Sequence, residues 1–252
     1  MNKLPQITLA FWVMKICATT LGETAGDLLS MTLNVGYAVS SLMLIAVFVM
    51  SLLTQLSSRR YHPTVYWTVI LATSTAGTTI SDFMDRSLGL GYAAGSAILT
   101  AVLLVIFCAW YISERSLSVS RISTRKAELF YWFAILFSNT LGTALGDFLA
   151  DDSGLGFMGG ALLIGTAIAV VALLHYTTRL SSVLLFWVAF VLTRPFGATL
   201  GDVLTKSHEK GGLDFGTVGS SLVLLTVLTV LVIAATRSVR QKAVGGESAT
   251  SS

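Results

Sequence analysis

The chain has 252 residues, of which 54% are hydrophobic and only 12% charged, with a net charge of +3 and a mean hydropathy of +0.78. A soluble domain of this length carries about one charged residue in four, so composition excludes an ordinary soluble globule. The basic excess lies in short segments that flank the apolar runs, so the net charge says nothing about nucleic acid.

The first element is MNKLPQITLAFWVMKICATTLG. Lys15 interrupts it and no small-residue cleavage site follows, so it reads as a retained membrane span rather than a signal peptide. It runs into GETAGD (22–27), which places Glu23 and Asp27 where a span ought to be apolar. A clean apolar run follows at 35–56, long enough for a bilayer-spanning helix of about 20 residues. The same couplet then recurs. A polar-dotted segment from Tyr66-Trp67 to Asp82 precedes an apolar run at 91–112. Tyr131-Trp132 to Asp147 precedes 156–176, and Phe186-Trp187 to Asp202 precedes 215–235. Cys17 and Cys108 lie inside these segments without metal-ligand spacing and read as small buried hydrophobes.

Fixed offsets make these couplets a tandem repeat. Ten residues after Trp12, Trp67, Trp132 and Trp187 stand Gly22, Gly77, Gly142 and Gly197; fifteen residues after them stand Asp27, Asp82, Asp147 and Asp202. Adjacent tryptophans are 55, 65 and 55 residues apart, so a two-span unit was duplicated and the resulting half duplicated again. The expected fold is an all-α integral membrane protein of eight transmembrane helices, built from four parallel two-helix repeats. The first four-span half covers 1–120 (repeats 8–57 and 62–113) and the second 121–237 (repeats 127–177 and 182–236); 238–252 reads as a disordered cytoplasmic tail. Lys3, Arg59, Arg60, Arg115, Arg121, Arg125, Lys126, Arg179, Arg237, Arg240 and Lys242 fall at the termini or between repeats, which puts both termini on the cytoplasmic side of the inner membrane.

The glycines read first as packing residues. Gly22 with Gly26, Gly77 with Ser81, Gly142 with Gly146 and Gly197 with Gly201 are small-xxx-small pairs that let helices approach closely. The tryptophans read as interfacial anchors at the cytoplasmic end of each span. Four aspartates at matching depth, behind small residues, point to carboxylates converging on a shared interior; the bland alternative is that each ties down its following loop. Symmetry fails at Glu23, whose counterparts are Thr78, Thr143 and Ala198, and at Arg194-Pro195, where the other repeats have Thr19-Thr20, Ser74-Thr75 and Asn139-Thr140. Lys15 and Arg194 are expected to salt-bridge Glu23 or an aspartate; a sharper role is that of an internal cation displaced during transport.

With its four two-span units, each carrying a tryptophan, the chain resembles a bacterial family of uncharacterised membrane-anchored proteins built on the "repeat of unknown function three-four-seven". The resemblance covers residues 8–237 and implies architecture more than activity. A looser likeness relates Glu23-x-x-Gly26-Asp27 to the Glu-x-Gly-Asp motifs of small manganese or calcium exchangers, with a spacing that differs by one residue and no Glu in the other repeats.

Nothing in the sequence resembles hydrolytic or redox chemistry, and no histidine pair at ligand spacing or phosphate-binding loop is present, so the chain reads as a non-enzyme without a resident cofactor. The leading expectation is a secondary transporter or exporter of a cation, such as manganese, or of Na⁺ or H⁺. Asp27, Asp82, Asp147, Asp202 and Glu23 would bind it, with Thr24, Thr79 and Thr199 as neutral ligands. Hard oxygen donors suit such ions better than Cu⁺ or Zn²⁺. A cation channel with a pseudo-fourfold Asp ring and a structural or sensory membrane protein are the alternatives. The partners expected are the lipid bilayer and a small cation, with no nucleic acid and room for a homo-oligomer.

Overall fold

The computed structural model describes residues 4–250 other than 59 and 123. Lys3 and Arg59, two of the basic residues used for orientation, lie outside the described residues, as do 251 and 252 of the expected tail. The described residues form eight long α-helices and no strand. These are α1 (Leu9–Asp27), α2 (Tyr37–Ser57), α3 (Pro63–Asp82), α4 (Tyr92–Glu114), α5 (Arg125–Asp147), α6 (Gly156–Thr177), α7 (Ser182–Thr205) and α8 (Gly216–Thr250). α8 thus continues as helix through 238–250, where the sequence reading expects a disordered tail; helix-forming residues such as Arg240, Gln241 and Ala243 follow the apolar run without a breaker before Gly245.

The odd-numbered helices close into an inner ring: α1 packs on α3, α3 on α5, α5 on α7, and α7 back on α1. Each even-numbered helix packs mainly on the inner helix of the next repeat, α2 on α3, α4 on α5, α6 on α7 and α8 on α1. The repeats are therefore interlocked, and each unit covers its neighbour rather than itself.

The glycines make this ring. A Cβ on Gly22 would strike Ser74 of α3, one on Gly77 would lie 2.9 Å from the Asn139 and Thr140 backbone of α5, one on Gly142 would strike Arg194 and Pro195 of α7, and one on Gly197 would strike Thr19 of α1. Gly26, Gly146 and Gly201 repeat the contact one turn on, against Thr78, Ala198 and Glu23. Helices this close leave no room for a methyl group at these positions.

Polarity is distributed inside out relative to a soluble bundle. Outer helices expose Leu42, Met50, Leu104, Ile112, Leu162, Leu173, Leu222 and Val230, and only 17–22% of their apolar windows are buried, against 67% for α5 and 56% for α7. Among the described residues, six helices are long and apolar enough to cross a membrane: α2, α4, α5, α6, α7 and α8. α1 and α3 are not among them because their inward faces carry most of the polar groups.

The tryptophans do not anchor the molecule in a headgroup layer. Trp67, Trp132 and Trp187 are buried and Trp12 is half-buried. Each packs against the aromatic residue of the preceding repeat: Phe11 on Trp67 (5.7 Å between ring centres), Tyr66 on Trp132 (5.5 Å), Tyr131 on Trp187 (6.1 Å) and Phe186 on Trp12 (5.8 Å). In a ring of parallel helices these positions face the seams, so the large apolar rings are buried there instead of meeting lipid.

Candidate functional site

Four stripes of side chains, taken at four-residue steps, line the ring axis. They are Phe11, Lys15, Thr19, Glu23 and Asp27 on α1; Tyr66, Ile70, Ser74, Thr78 and Asp82 on α3; Tyr131, Ile135, Asn139, Thr143 and Asp147 on α5; and Phe186, Phe190, Arg194, Ala198 and Asp202 on α7. All are buried except the half-buried Phe186. The axis thus grades from aromatic at one end to acidic at the other. The Tyr66 and Tyr131 hydroxyls, on the neighbouring helices α3 and α5, hydrogen-bond to each other at 2.6 Å.

At the acidic end, α1, α3 and α5 each finish on their aspartate and pass into one π-helical turn, Leu28–Thr32, Phe83–Ser87 and Phe148–Asp152. A helix C-terminus is a poor place for a carboxylate, because the helix dipole presents negative charge there. Two cations answer this. Arg86 places Nε 3.0 Å from Asp82 Oδ1 and Nη2 3.2 Å from Asp147 Oδ2; Lys206 places Nζ 3.0 Å from both Asp202 Oδ1 and Asp27 Oδ2. Burial works against the charge of Lys206, but Asp202 and Asp27 outweigh it and hold the ammonium above its ordinary pKa. Arg86 is likewise opposed by burial and held above its ordinary value by Asp82 and Asp147. Four aspartates are therefore brought to one end of the ring and joined in pairs by two cations, Arg86 and Lys206. Their position four residues after Asp82 and Asp202 is the signal that could have found them.

One turn inward, Arg194 is fully buried and reaches from α7 across the axis. Its Nη1 donates to Glu23 Oε2 at 2.9 Å, and its Nη2 donates to Thr78 Oγ1 and Thr143 Oγ1 at 2.6 Å each and to the Ser74 carbonyl at 3.4 Å. The Thr78 and Thr143 hydroxyls also donate to the same Glu23 oxygen, at 3.2 and 3.3 Å. The expected pairing of Arg194 with Glu23 is present, and Thr78 and Thr143 brace both partners.

Lys15 is a correction. It bridges no carboxylate among the described residues; its Nζ lies 3.3 Å from Asn139 Oδ1 and 4.1 Å from the Phe190 ring centre. Two helical turns separate it from Glu23, and the Thr19 layer lies between. Thr24, Thr79 and Thr199 are a second correction. Each donates to its own helix backbone, and Thr24 also accepts from Ser221 of α8. One residue beyond an axial position turns a side chain by about 100°, toward the outer helices.

Glu23, Asp147 and Asp202 each offer an oxygen such that the three lie within 4.8 Å of one another, all buried. The five carboxylates on the axis meet three cations, Arg194, Arg86 and Lys206, so that acidic groups outnumber basic ones by two. Such a cluster is chemically suited to protons or a hard cation, which would relieve the cost of burying unpaired charge.

No curated protein and no solved structure matches the chain. The family model described as Repeat of Unknown Function (DUF347) matches it four times, at residues 10–61, 65–116, 130–181 and 185–241. These windows coincide with the four helix pairs of the ring and together take in most of the sequence, so the chain belongs to the DUF347 repeat family as four tandem copies.

Proposed function

We propose that the chain is a multi-pass protein of the bacterial inner membrane that carries a cation by secondary transport, without enzymatic activity. All eight helices span the bilayer in this reading, with α1 and α3 shielded from lipid by the outer helices. Arg60, Arg115, Arg125, Lys126, Arg179 and Arg237 flank the aromatic end, which makes that end and both termini cytoplasmic and the aspartate end external. The observation that carries the proposal is the cluster of five buried carboxylates, Glu23, Asp27, Asp82, Asp147 and Asp202, against three cations. Unpaired charge in a membrane interior is costly and marks ion or proton pathways. A hard cation, or protons exchanged for it, fits oxygen donors of this kind.

A cation channel with an aspartate ring is the second reading. The side chains on the axis weigh against it: the Arg194 guanidinium, Lys15 over Phe190 and the Tyr66–Tyr131 pair fill the path behind the aspartates. A filled axis with charged layers fits a carrier in an occluded conformation better than a pore.

Flux into proteoliposomes tests the proposal. Purified protein should accumulate Mn²⁺, Ca²⁺ or Na⁺ in exchange for protons leaving down an outward gradient, and the Asp27→Asn, Asp202→Asn double variant should abolish it. Undiminished flux in that variant refutes the carboxylate mechanism.

A further inference from the structure

Three candidates stand out away from the aspartate pairs: an apolar groove of about 220 Å³ between α3 and α8 lined by Trp67, Leu71, Leu228 and Val232, the buried Asp85 carboxylate against Gly95, and the buried Arg194 guanidinium. Arg194 carries furthest. We infer that it is a tethered competitor of the transported cation: its guanidinium sits in the oxygen cage made by Glu23, Thr78, Thr143 and the Ser74 carbonyl, and it must leave Glu23 for a cation to bind there. The inference rests on the cation-transport reading.

The first reason is that the fold itself has no need of this pair. At the Glu23 position the other repeats carry Thr78, Thr143 and Ala198; at the Arg194 position they carry Thr19, Ser74 and Asn139. Three of the four repeats thus carry neutral side chains at each of these two positions. Replacing a buried ion pair with neutral groups is commonly harmless or stabilising, so a stability role gives no account of why two exceptions face each other across the axis.

The second reason is the chemistry of the cage. One carboxylate oxygen, two hydroxyls and a carbonyl, from three helices, surround the guanidinium at 2.6–3.4 Å. These are the donor types that hard cations take. The fit to Arg194 is incomplete, because its Nε is buried with no hydrogen-bond partner among the described residues. A planar five-donor group is thus held by only part of its donors, with one left desolvated.

The third reason is competition for a shared group. Glu23 belongs both to the cage and to the triad with Asp147 and Asp202 whose oxygens converge within 4.8 Å. A cation entering from the aspartate end meets a carboxylate already paired to a positive charge. Binding therefore has to weaken the Arg194–Glu23 pair, and its departure couples cation arrival to movement of α7, which Pro195 has already deprived of one backbone hydrogen bond.

The test is Mn²⁺ affinity of the purified, detergent-solubilised protein, measured by calorimetry and by thermal stabilisation, with size-exclusion behaviour as the check on folding. Arg194→Gln should bind Mn²⁺ about tenfold tighter than wild type, within the range of ordinary coupling between sites. Arg194→Lys, which keeps the charge but fewer donors, should fall between them and carries the test if the glutamine variant does not fold. The gain should vanish when Glu23→Gln is added. Equal affinity in wild type and both Arg194 variants, with weaker binding in Asp202→Asn, overturns the competitor role and leaves transport standing. No Mn²⁺ binding in any of them, together with no cation flux, overturns both.

Discussion

The ring has two kinds of seam. Two lie inside the halves, α1–α3 and α5–α7; two join the halves, α3–α5 and α7–α1. In packing they are alike: at every seam a glycine of one helix meets the next, and an aromatic ring meets the next tryptophan. In charge they differ. Arg86 ties Asp82 to Asp147 and Lys206 ties Asp202 to Asp27, both across the seams between halves; the corresponding residues of the first and third repeats are Met31 and Asp151. Packing thus follows a fourfold pattern and electrostatics a twofold one. Close helix approach demands a small residue at every seam, whereas buried carboxylates need only enough cations nearby to limit their desolvation cost.

The largest break in this comparison is at the asymmetric pair. Removing one partner, by Glu23→Ala or Arg194→Ala, should cost about 3–5 kcal/mol in chemical unfolding because the survivor is left buried and unpaired. Substituting both with residues that the other repeats use, Glu23→Thr with Arg194→Ser, should recover most of that loss; a double variant as unstable as the singles would contradict the neutral solution read from the other repeats. Next come the glycines. Gly22→Ala inside a half and Gly77→Ala between halves should each cost about 1–3 kcal/mol, and a clear difference between them would break the fourfold packing pattern.

The cations come third. Arg86→Ala and Lys206→Ala should each lower stability by about 1.5–3 kcal/mol, the usual worth of hydrogen bonds to charged groups. Alkaline pH separates the two seams. The folded pKa of Lys206 is raised above its unfolded value of about 10.4, so its contribution is complete below that pH and is lost as pH climbs toward the folded value. Unfolding temperature should therefore carry an alkaline decline that Lys206→Met removes and Arg86→Met leaves in place. The smallest effect is a gain: Met31→Arg, which supplies the missing cation between Asp27 and Asp82, should stabilise by up to about 1 kcal/mol.

Much of the acidic end was legible in the sequence because it repeats. Gly77 and Gly197 announced close packing, and four aspartates at one offset announced a common depth. Glu23 and Arg194 were recognisable as exceptions to the pattern, and they do meet. Lys15 misled because a buried lysine suggests a carboxylate, while Asn139 and Phe190 satisfy it from helices far away in sequence. The tryptophans misled because their position along the span was readable but the direction in which they point was not.

The sequence by itself determined the class, the four-copy repeat, the helix pairs and the depth of each polar layer, since hydropathy and fixed spacing act along the chain. Only the tertiary structure decided that the fourth inner helix closes on the first, that each outer helix covers the next repeat, and that Arg86 and Lys206 turn inward to bridge aspartates on neighbouring helices. Those outcomes depend on the angle at which helices meet around a closed ring. A helical period fixes which residues share a face, but the neighbour that face finds is set by packing every seam at once.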